Sequence, residues 1–304
     1  MALYKTNNGS LQTIKEDSFK LEKDIQTITE KNLEYIFGLK FIKTEFSLNN
    51  LRIDTLAFDN DSKSFVIIEY KRDKNFSVID QWFAYLSLML NNKADFILEY
   101  NESTDVSIKR DDIDWTQSRV MFISPTFSKY QQQAINFKDL PIELWEITKY
   151  QGDLIQYNRL KTPDASESIN KISKSNEIVN KVAETIKVYT EEDHLKPVSE
   201  DIVSLYEEFK NQILNLGDKI EIKPKKQYIA FKSSSNFIDM IIQKRRIKFW
   251  LNVSKWKLND IYNIGRDVSN IWHRGNGDYE FSLESSSDIA NLIPLVKQSY
   301  DINK

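Results

Sequence analysis

The stretch FVIIEYKRDKNFSVIDQWFAYLSLML, residues 65–90, governs how this chain is understood. It opens as the continuous apolar run of a buried strand. At its end it places a carboxylate and an amine, Glu69 and Lys71, two residues apart, and side chains at i and i+2 share one strand face. Residues 77–90 then read as an amphipathic helix, with Trp82, Tyr85, Leu86 and Met89 on one side.

Upstream, SFKLEKDIQTITEKNLEYIF (18–37) has apolar residues near helical spacing, with Ser18 as an N-cap and Gly38 as a stop. Two strand-like segments follow, FIKTEFSL and LRIDTLAF, and the turn cluster DNDSK separates them from SFVIIEYK. Further strands are expected at ADFILEY (94–100), RVMFIS (119–124) and IELWEIT (142–148), with a helix near 127–136. YQGDLIQYNRL (150–160) completes this first domain, 1–160. This order of helices and strands is an α/β pattern. Residues 161–193 turn serine-rich and charged, a connector expected to be partly helical. A smaller α+β domain, 194–304, follows: a helix at 199–215, strands at QYIAFK, NFIDMII and RIKFWLNV, and a last helix at 287–300.

Composition removes several chemistries. The 304 residues are 40% hydrophobic and 29% charged, enough for a sizeable core, and the net charge of -3 gives no global attraction to nucleic acid or anionic membrane. The absence of cysteine excludes disulfides, thiolate metal sites and thiol nucleophiles. Two histidines, His194 and His273, do not make a histidine metal cage, and the seven glycines form no P-loop and no GxSxG elbow. The N-terminus lacks a signal-peptide core, and WFAYLSLML is far short of the roughly 20 residues that span a bilayer. A soluble, cytoplasmic protein without membrane contact is expected, and its chemistry must rest on carboxylates and lysine.

A hairpin centred near Asp61 and Ser62 places Asp54 opposite Glu69, so that Asp54, Glu69 and Lys71 meet at one end of neighbouring strands. Three unrelated charges on an open sheet face would be the bland alternative. Two close carboxylates repel, however, and a divalent cation with oxygen ligands, most simply Mg²⁺, resolves the repulsion. A lysine beside them can stabilise charge at a phosphate or position a water.

With Ile53-Asp54, Glu69-Tyr70-Lys71 and the Gln81-Trp82-Phe83-Ala84-Tyr85 element on the following helix, the chain resembles the PD-(D/E)xK nuclease superfamily, in its RecB-like and archaeal mismatch-endonuclease-like branch. Ile53 stands where the family name has proline. The resemblance implies a restriction-endonuclease-like core, a mixed sheet flanked by helices, that hydrolyses phosphodiester bonds with Mg²⁺, or Mn²⁺ in its place. Asp54 and Glu69 would then be metal ligands, with the backbone carbonyl of Tyr70. Lys71 would be the catalytic cation, Gln81 would position Lys71 or the water, and Glu22 would supply the acidic residue of the first helix. Glu22 lies 32 residues before Asp54, and Glu30 and Glu34 share its helix. Tyr85 and Trp82 read as core aromatics, and Arg52 and Arg72 as phosphate contacts or solvated surface residues.

Residues from Glu22 through SPTFSKYQQQAINFKDLPIELWEI look like the N-terminal half of a bacterial family of predicted nucleases, and 194–304 like the uncharacterised domain at their C-terminus. That domain recurs beside restriction-like modules, which implies a role in defence against foreign DNA, as a homodimer or with a defence-system partner protein; DNA repair is the other setting. Between Lys223 and Lys257 stand ten Lys/Arg against one acid, Asp239. Alternation in QKRRIKFWLNV puts Lys244, Arg246, Lys248 and Trp250 on one face, a grip for nucleic acid or an ordinary solvated surface. A turn is expected at His273 to Gly277. The rival function is a nucleic-acid-binding or protein-interaction module on a nuclease fold that does not cut.

Overall fold

The computed structural model describes residues 2–49, 51–72, 77–134, 140–160, 186–271 and 275–304. The chain divides into two units, 1–188 and 189–304. Most of the expected connector (161–185), together with His273 and Arg274, lies outside the described residues.

The first unit begins with a hairpin, β1 (Leu3–Asn7) and β2 (Ser10–Ile14), and a short strand β3 (Glu16–Asp17). Two helices follow, α1 (Glu22–Lys31) and α2 (Leu33–Phe37), ending at Gly38. The single helix expected over 18–37 is therefore corrected to two, divided at Asn32, with Leu21 at the N-cap position. The strands β4 (Lys40–Leu48), β5 (Leu51–Asp59) and β6 (Ser64–Tyr70) form an antiparallel meander. Helices α3 (Val78–Asn91) and α4 (Lys93–Ser103) lead to β7 (Arg119–Ser124), α5 (Lys129–Ala134), β8 (Ile142–Tyr150) and β9 (Leu154–Arg159). β6, β7 and β8 run parallel, so the sheet is mixed, in the order β3-β8-β7-β6-β5-β4 with β9 also on β8.

ADFILEY is helical rather than a strand. Phe96 and Tyr100, four residues apart, are buried on one face while Leu98 is 57% exposed, a spacing that only a helix satisfies. Phe96 and Tyr100 stack edge-on against Phe65 and Phe58, which ties α4 to β5 and β6.

Helices cover both faces of this sheet. Leu56, Phe58, Phe65, Ile67 and Phe122 pack under Trp82, Leu86, Met89 and Phe96 from α3 and α4. Ala57, Val66, Ile68, Tyr70 and Met121 pack on the opposite face under Ile25, Leu33 and Phe37 from α1 and α2. β6 is buried at all seven positions, as a central parallel strand must be, and its sequence is accordingly apolar on both faces. Ile186 joins the core of this unit.

The second unit contains α6 (Glu191–Leu195) and α7 (Glu200–Leu214). Its antiparallel sheet runs β10 (Glu221–Pro224), β11 (Ile229–Lys232), β12 (Asn236–Ile242), β13 (Ile247–Leu251), β15 (Tyr279–Leu283) and β14 (Arg266–Asp267), in that spatial order. The last helix is α8 (Ser286–Asn303). Phe209 and Ile213 of α7 and Leu292 and Val296 of α8 share a core with Ile229, Met240, Phe249 and Phe281 of the sheet. The expected α+β architecture is present, with three strands, β10, β14 and β15, beyond those expected.

Gly277 marks where this unit tolerates no side chain. Its φ is +89°, and a Cβ there would lie 2.1 Å from the carbonyl oxygen of Leu251. Gly277→Ala is expected to destabilise the second unit by more than about 1 kcal/mol, measured as a lowered denaturation midpoint for the signals of that unit. An unchanged midpoint would show that the 275–278 turn is not packed as described.

Candidate metal and active site

The meander register brings the acids together. Thr55 faces Ile68 and Asp59 faces Ser64, so Asp54 and Glu69 stand one step beyond the last paired residues of β5 and β6. Asp54 Oδ2 accepts the backbone N–H of Tyr70 at 3.0 Å. The next residue is fixed by the parallel neighbour: the backbone N–H of Lys71 donates to the Ile123 carbonyl at 2.9 Å. Its ammonium then turns back along its own face and donates to Glu69 Oε1 at 3.2 Å. The i, i+2 spacing thus delivers an acid–base pair in contact.

Glu69 is only 3% exposed, and its second oxygen, Oε2, is buried without a hydrogen-bond partner. Burial pushes its carboxyl up to about 8, the neighbouring Asp54 carboxylate pushes in the same direction, and Lys71 only partly offsets them. The acid that the lysine should ionise therefore keeps its proton near neutrality, because desolvation outweighs one lysine.

Helix α3 forms the roof. Ser77 caps its first turn by accepting from the Asp80 N–H at 3.2 Å. Tyr85, four residues after Gln81, has a buried ring in the core and a hydroxyl that donates to the Arg52 carbonyl at 3.3 Å. Burial and then the charge of Glu69 push its phenol up. Tyr85 and Trp82 are both core residues as expected, and Tyr85 also turns its hydroxyl to the Arg52 backbone. Gln81 Oε1 is a second buried oxygen without a partner. Two orphaned acceptors on adjoining elements are costly unless a cation or donor enters between these layers.

Glu22 comes from the other side. Its helix packs on the face opposite Asp54 and Glu69, and its Oε2 accepts the backbone N–H of Arg72 at 2.9 Å. It touches the chain directly after Lys71. Among the described residues no group of three His, Cys, Asp or Glu is placed to hold a metal. Glu30 serves elsewhere. It accepts from Thr55 Oγ1 at 2.6 Å and from Gln26 Nε2 at 2.9 Å, and Gln26 also donates to the Asp54 carbonyl at 2.9 Å. No signal in the sequence marks this buried brace behind Asp54. Glu34 lies on α2 and is exposed. Arg52 pairs with Glu45 at 2.9 Å, and the Arg72 guanidinium binds the Lys20 carbonyl.

The donor set suits a hard cation. Asp54, Glu69 and the Tyr70 carbonyl offer oxygen alone, and the orphaned Glu69 Oε2 is the acceptor that a divalent ion would satisfy. The Tyr70 side chain is fully buried and donates no surface of its own to the site.

The expected nucleic-acid grip of the second unit is corrected. β13 starts at Ile247, so Lys244 and Arg246 lie in the turn before it, where Arg246 Nε donates to Gln243 Oε1 at 2.9 Å. Lys248 is paired with Glu280 at 3.0 Å. Trp250 does share their side of the sheet, but it is only 3% exposed, and Gly275 sits so close that a Cβ there would lie 2.6 Å from its ring. Its face is covered and cannot stack on a base. Lys223 and Lys255 are likewise met by Glu221 at 2.9 Å and Asp267 at 2.8 Å.

A family described as a domain of unknown function (DUF5655) matches residues 191–303, so the expected C-terminal domain is present. Solved structures that match part of the chain include three of note. They are an EndoMS–dsDNA2 complex (TM-score 0.27, 15% identity, 39% of this chain and 43% of that chain) and a repair endonuclease from Pyrococcus abyssi (0.23, 18%, 40% and 45%). The third is SfsA of Pyrococcus furiosus in complex with Ca²⁺ (0.25, 15%, 46% and 63%). The chain spans less than two thirds of each. An uncharacterized protein of Haemophilus influenzae is 47% identical over 299 residues, 98% of this chain and 99% of that one. With that identity along almost its whole length, the chain belongs to the same family as the Haemophilus influenzae protein.

Proposed function

We propose that the first unit is a divalent-metal-dependent nuclease that hydrolyses phosphodiester bonds, with DNA as the favoured substrate. The observation that carries this reading is the buried Glu69 beside the half-buried Asp54, with Lys71 in contact and Glu69 Oε2 unsatisfied. Asp54, Glu69 and the Tyr70 carbonyl would hold Mg²⁺ or Mn²⁺, which when bound supplies a Lewis acid at a phosphoryl oxygen and a more acidic water. Lys71 places a positive charge where negative charge develops on the phosphate. Gln81 would accept a hydrogen bond from Lys71 or from the attacking water. Glu22 holds the Arg72 backbone, and with it the strand end that carries Lys71.

The test is incubation of the full chain with labelled single-stranded, duplex, branched and modified nucleic acids, with Mg²⁺, with Mn²⁺, and with chelator. Cleavage of at least one substrate that stops in chelator is expected. Binding without cleavage under every condition would replace this reading with that of a non-cutting module.

A further inference from the structure

The N-terminal hairpin has no place in the candidate site and no core of its own. Among the described residues β1 and β2 pair only with each other, and residues 4–13 are all exposed. A two-stranded ribbon on its own is marginal in water, so its exposure on both faces calls for a partner. Asn8 and Gly9 both have positive φ, 47° and 83°, the tight two-residue turn that keeps the ribbon straight to its tip.

The register sorts its side chains. Leu3 faces Ile14, Lys5 faces Gln12 and Asn7 faces Ser10 on one side, while Tyr4, Thr13, Thr6 and Leu11 lie on the other. Beyond its root, the first side presents an amine, two carboxamides and a hydroxyl. Residues 1–15 carry Lys5 and Lys15 and no carboxylate, in a chain whose net charge is -3. Its root is fixed to the edge of the sheet that carries the candidate site. The Gln151 N–H donates to the Lys15 carbonyl, β3 is paired to β8, and the segment from there runs directly into Glu22 and its contact with Arg72.

We infer that this hairpin is an arm that lies in the major groove of duplex DNA next to the cleavage site, with Lys5, Asn7, Ser10 and Gln12 toward the DNA. A major groove about 12 Å wide admits a two-stranded ribbon, and carboxamides and amines are the groups that read base edges and phosphates there. A stable protein partner would bury roughly 800 Å² per side around a centre of large aromatic or apolar anchors. The ribbon has two exposed large apolar side chains, Tyr4 and Leu11, both on the other face. A single strand would need stacking aromatics, and the polar face has none. The arm deepens the nuclease reading, on which it rests, by naming duplex DNA as the substrate class, but groove binding does not require the metal site.

The experiment measures binding of the full chain in chelator to a short labelled duplex and to one of its strands, across a salt series. Lys5→Ala/Asn7→Ala/Gln12→Ala replaces exposed side chains only, and its fold is checked by thermal melting. Duplex affinity is expected to fall on the order of tenfold or more while single-strand affinity holds. The slope of log K against log salt should shrink by about 0.9 for the lost lysine contact. Unchanged duplex affinity and slope overturn the inference, as does an equal loss for the single strand. So does a dimer, seen by sedimentation, that Tyr4→Ser/Leu11→Ser dissociates while the triple variant binds duplex normally. If the wild type binds no duplex but cuts single strands with Mg²⁺, the arm inference falls and the nuclease reading stands. If the triple variant loses duplex binding and the wild type cuts nothing, the reverse holds.

Discussion

Lys71→Ala is expected to lower cleavage of any substrate that the protein cuts by at least about 10²–10³-fold, the scale of removing one preorganised charge-stabilising group. The fold should survive. Lys71 is partly exposed, its side-chain partner is Glu69, and Glu69 already keeps its proton near neutrality. Removing the ammonium therefore leaves a neutral carboxyl, not a buried unpaired charge. Turnover, the thermal midpoint and Mn²⁺ binding by calorimetry separate these effects. Turnover should collapse while the midpoint stays within a few degrees and metal binding is retained. Full activity in this variant would remove Lys71 from the chemistry and leave its contact with Glu69 purely structural.

The second large effect is on stability against pH. Glu69 sits at about 8 in the fold, mainly through burial and secondly through Asp54, against 4.5 for an ordinary glutamate. Between these values the folded chain keeps a proton that the unfolded chain releases, so stability falls as pH rises from about 4.5 to about 8 and the penalty is complete above that. Its size is on the order of 5 kcal/mol. Glu69→Gln stays neutral and escapes the penalty. In chelator it should melt above the wild type at pH 9 and close to it at pH 4.5. A divalent ion replaces the proton, so Mg²⁺ should raise the wild-type midpoint at pH 9 and leave that of Glu69→Gln unchanged. Equal midpoints for the two proteins at pH 9 in chelator would show that Glu69 ionises freely in the folded chain.

Much of the site is readable in order along the chain. The meander register, the burial of β6 and the contact of Lys71 with Glu69 follow from strand periodicity and a turn cluster, all local in sequence. Gln81 and Tyr85 follow from the helix after the lysine, although the tyrosine reads only as a core ring, because its hydroxyl is given a purpose by residues two strands away. The misassignment of ADFILEY has the same origin: a short apolar run fits strand and helix alike, and only packing of Phe96 and Tyr100 against Phe65 and Phe58 selects the helix. The Asn8-Gly9 turn is present in the sequence, yet its flanks lack the apolar alternation that marks a buried strand.

The second unit shows the limit most clearly. Counting from Lys223 to Lys257 finds a strongly basic segment, but acids distant in sequence meet two of its lysines: Glu280 from β15 pairs with Lys248 and Asp267 from β14 with Lys255. Trp250 alternates onto the polar face as expected, and it is buried there because Gly275, twenty-five residues later, lies on its ring. Which residues share a strand face or a helix turn, and hence the Asp54–Glu69–Lys71 set, is legible in the chain alone, because those relations depend on backbone periods of 2 and 3.6. Which charges are compensated, which aromatic rings are covered, and that Glu22 holds the Arg72 backbone from the opposite side of the sheet emerge only on folding, because burial and Coulomb interactions depend on distance in space and not on separation along the chain.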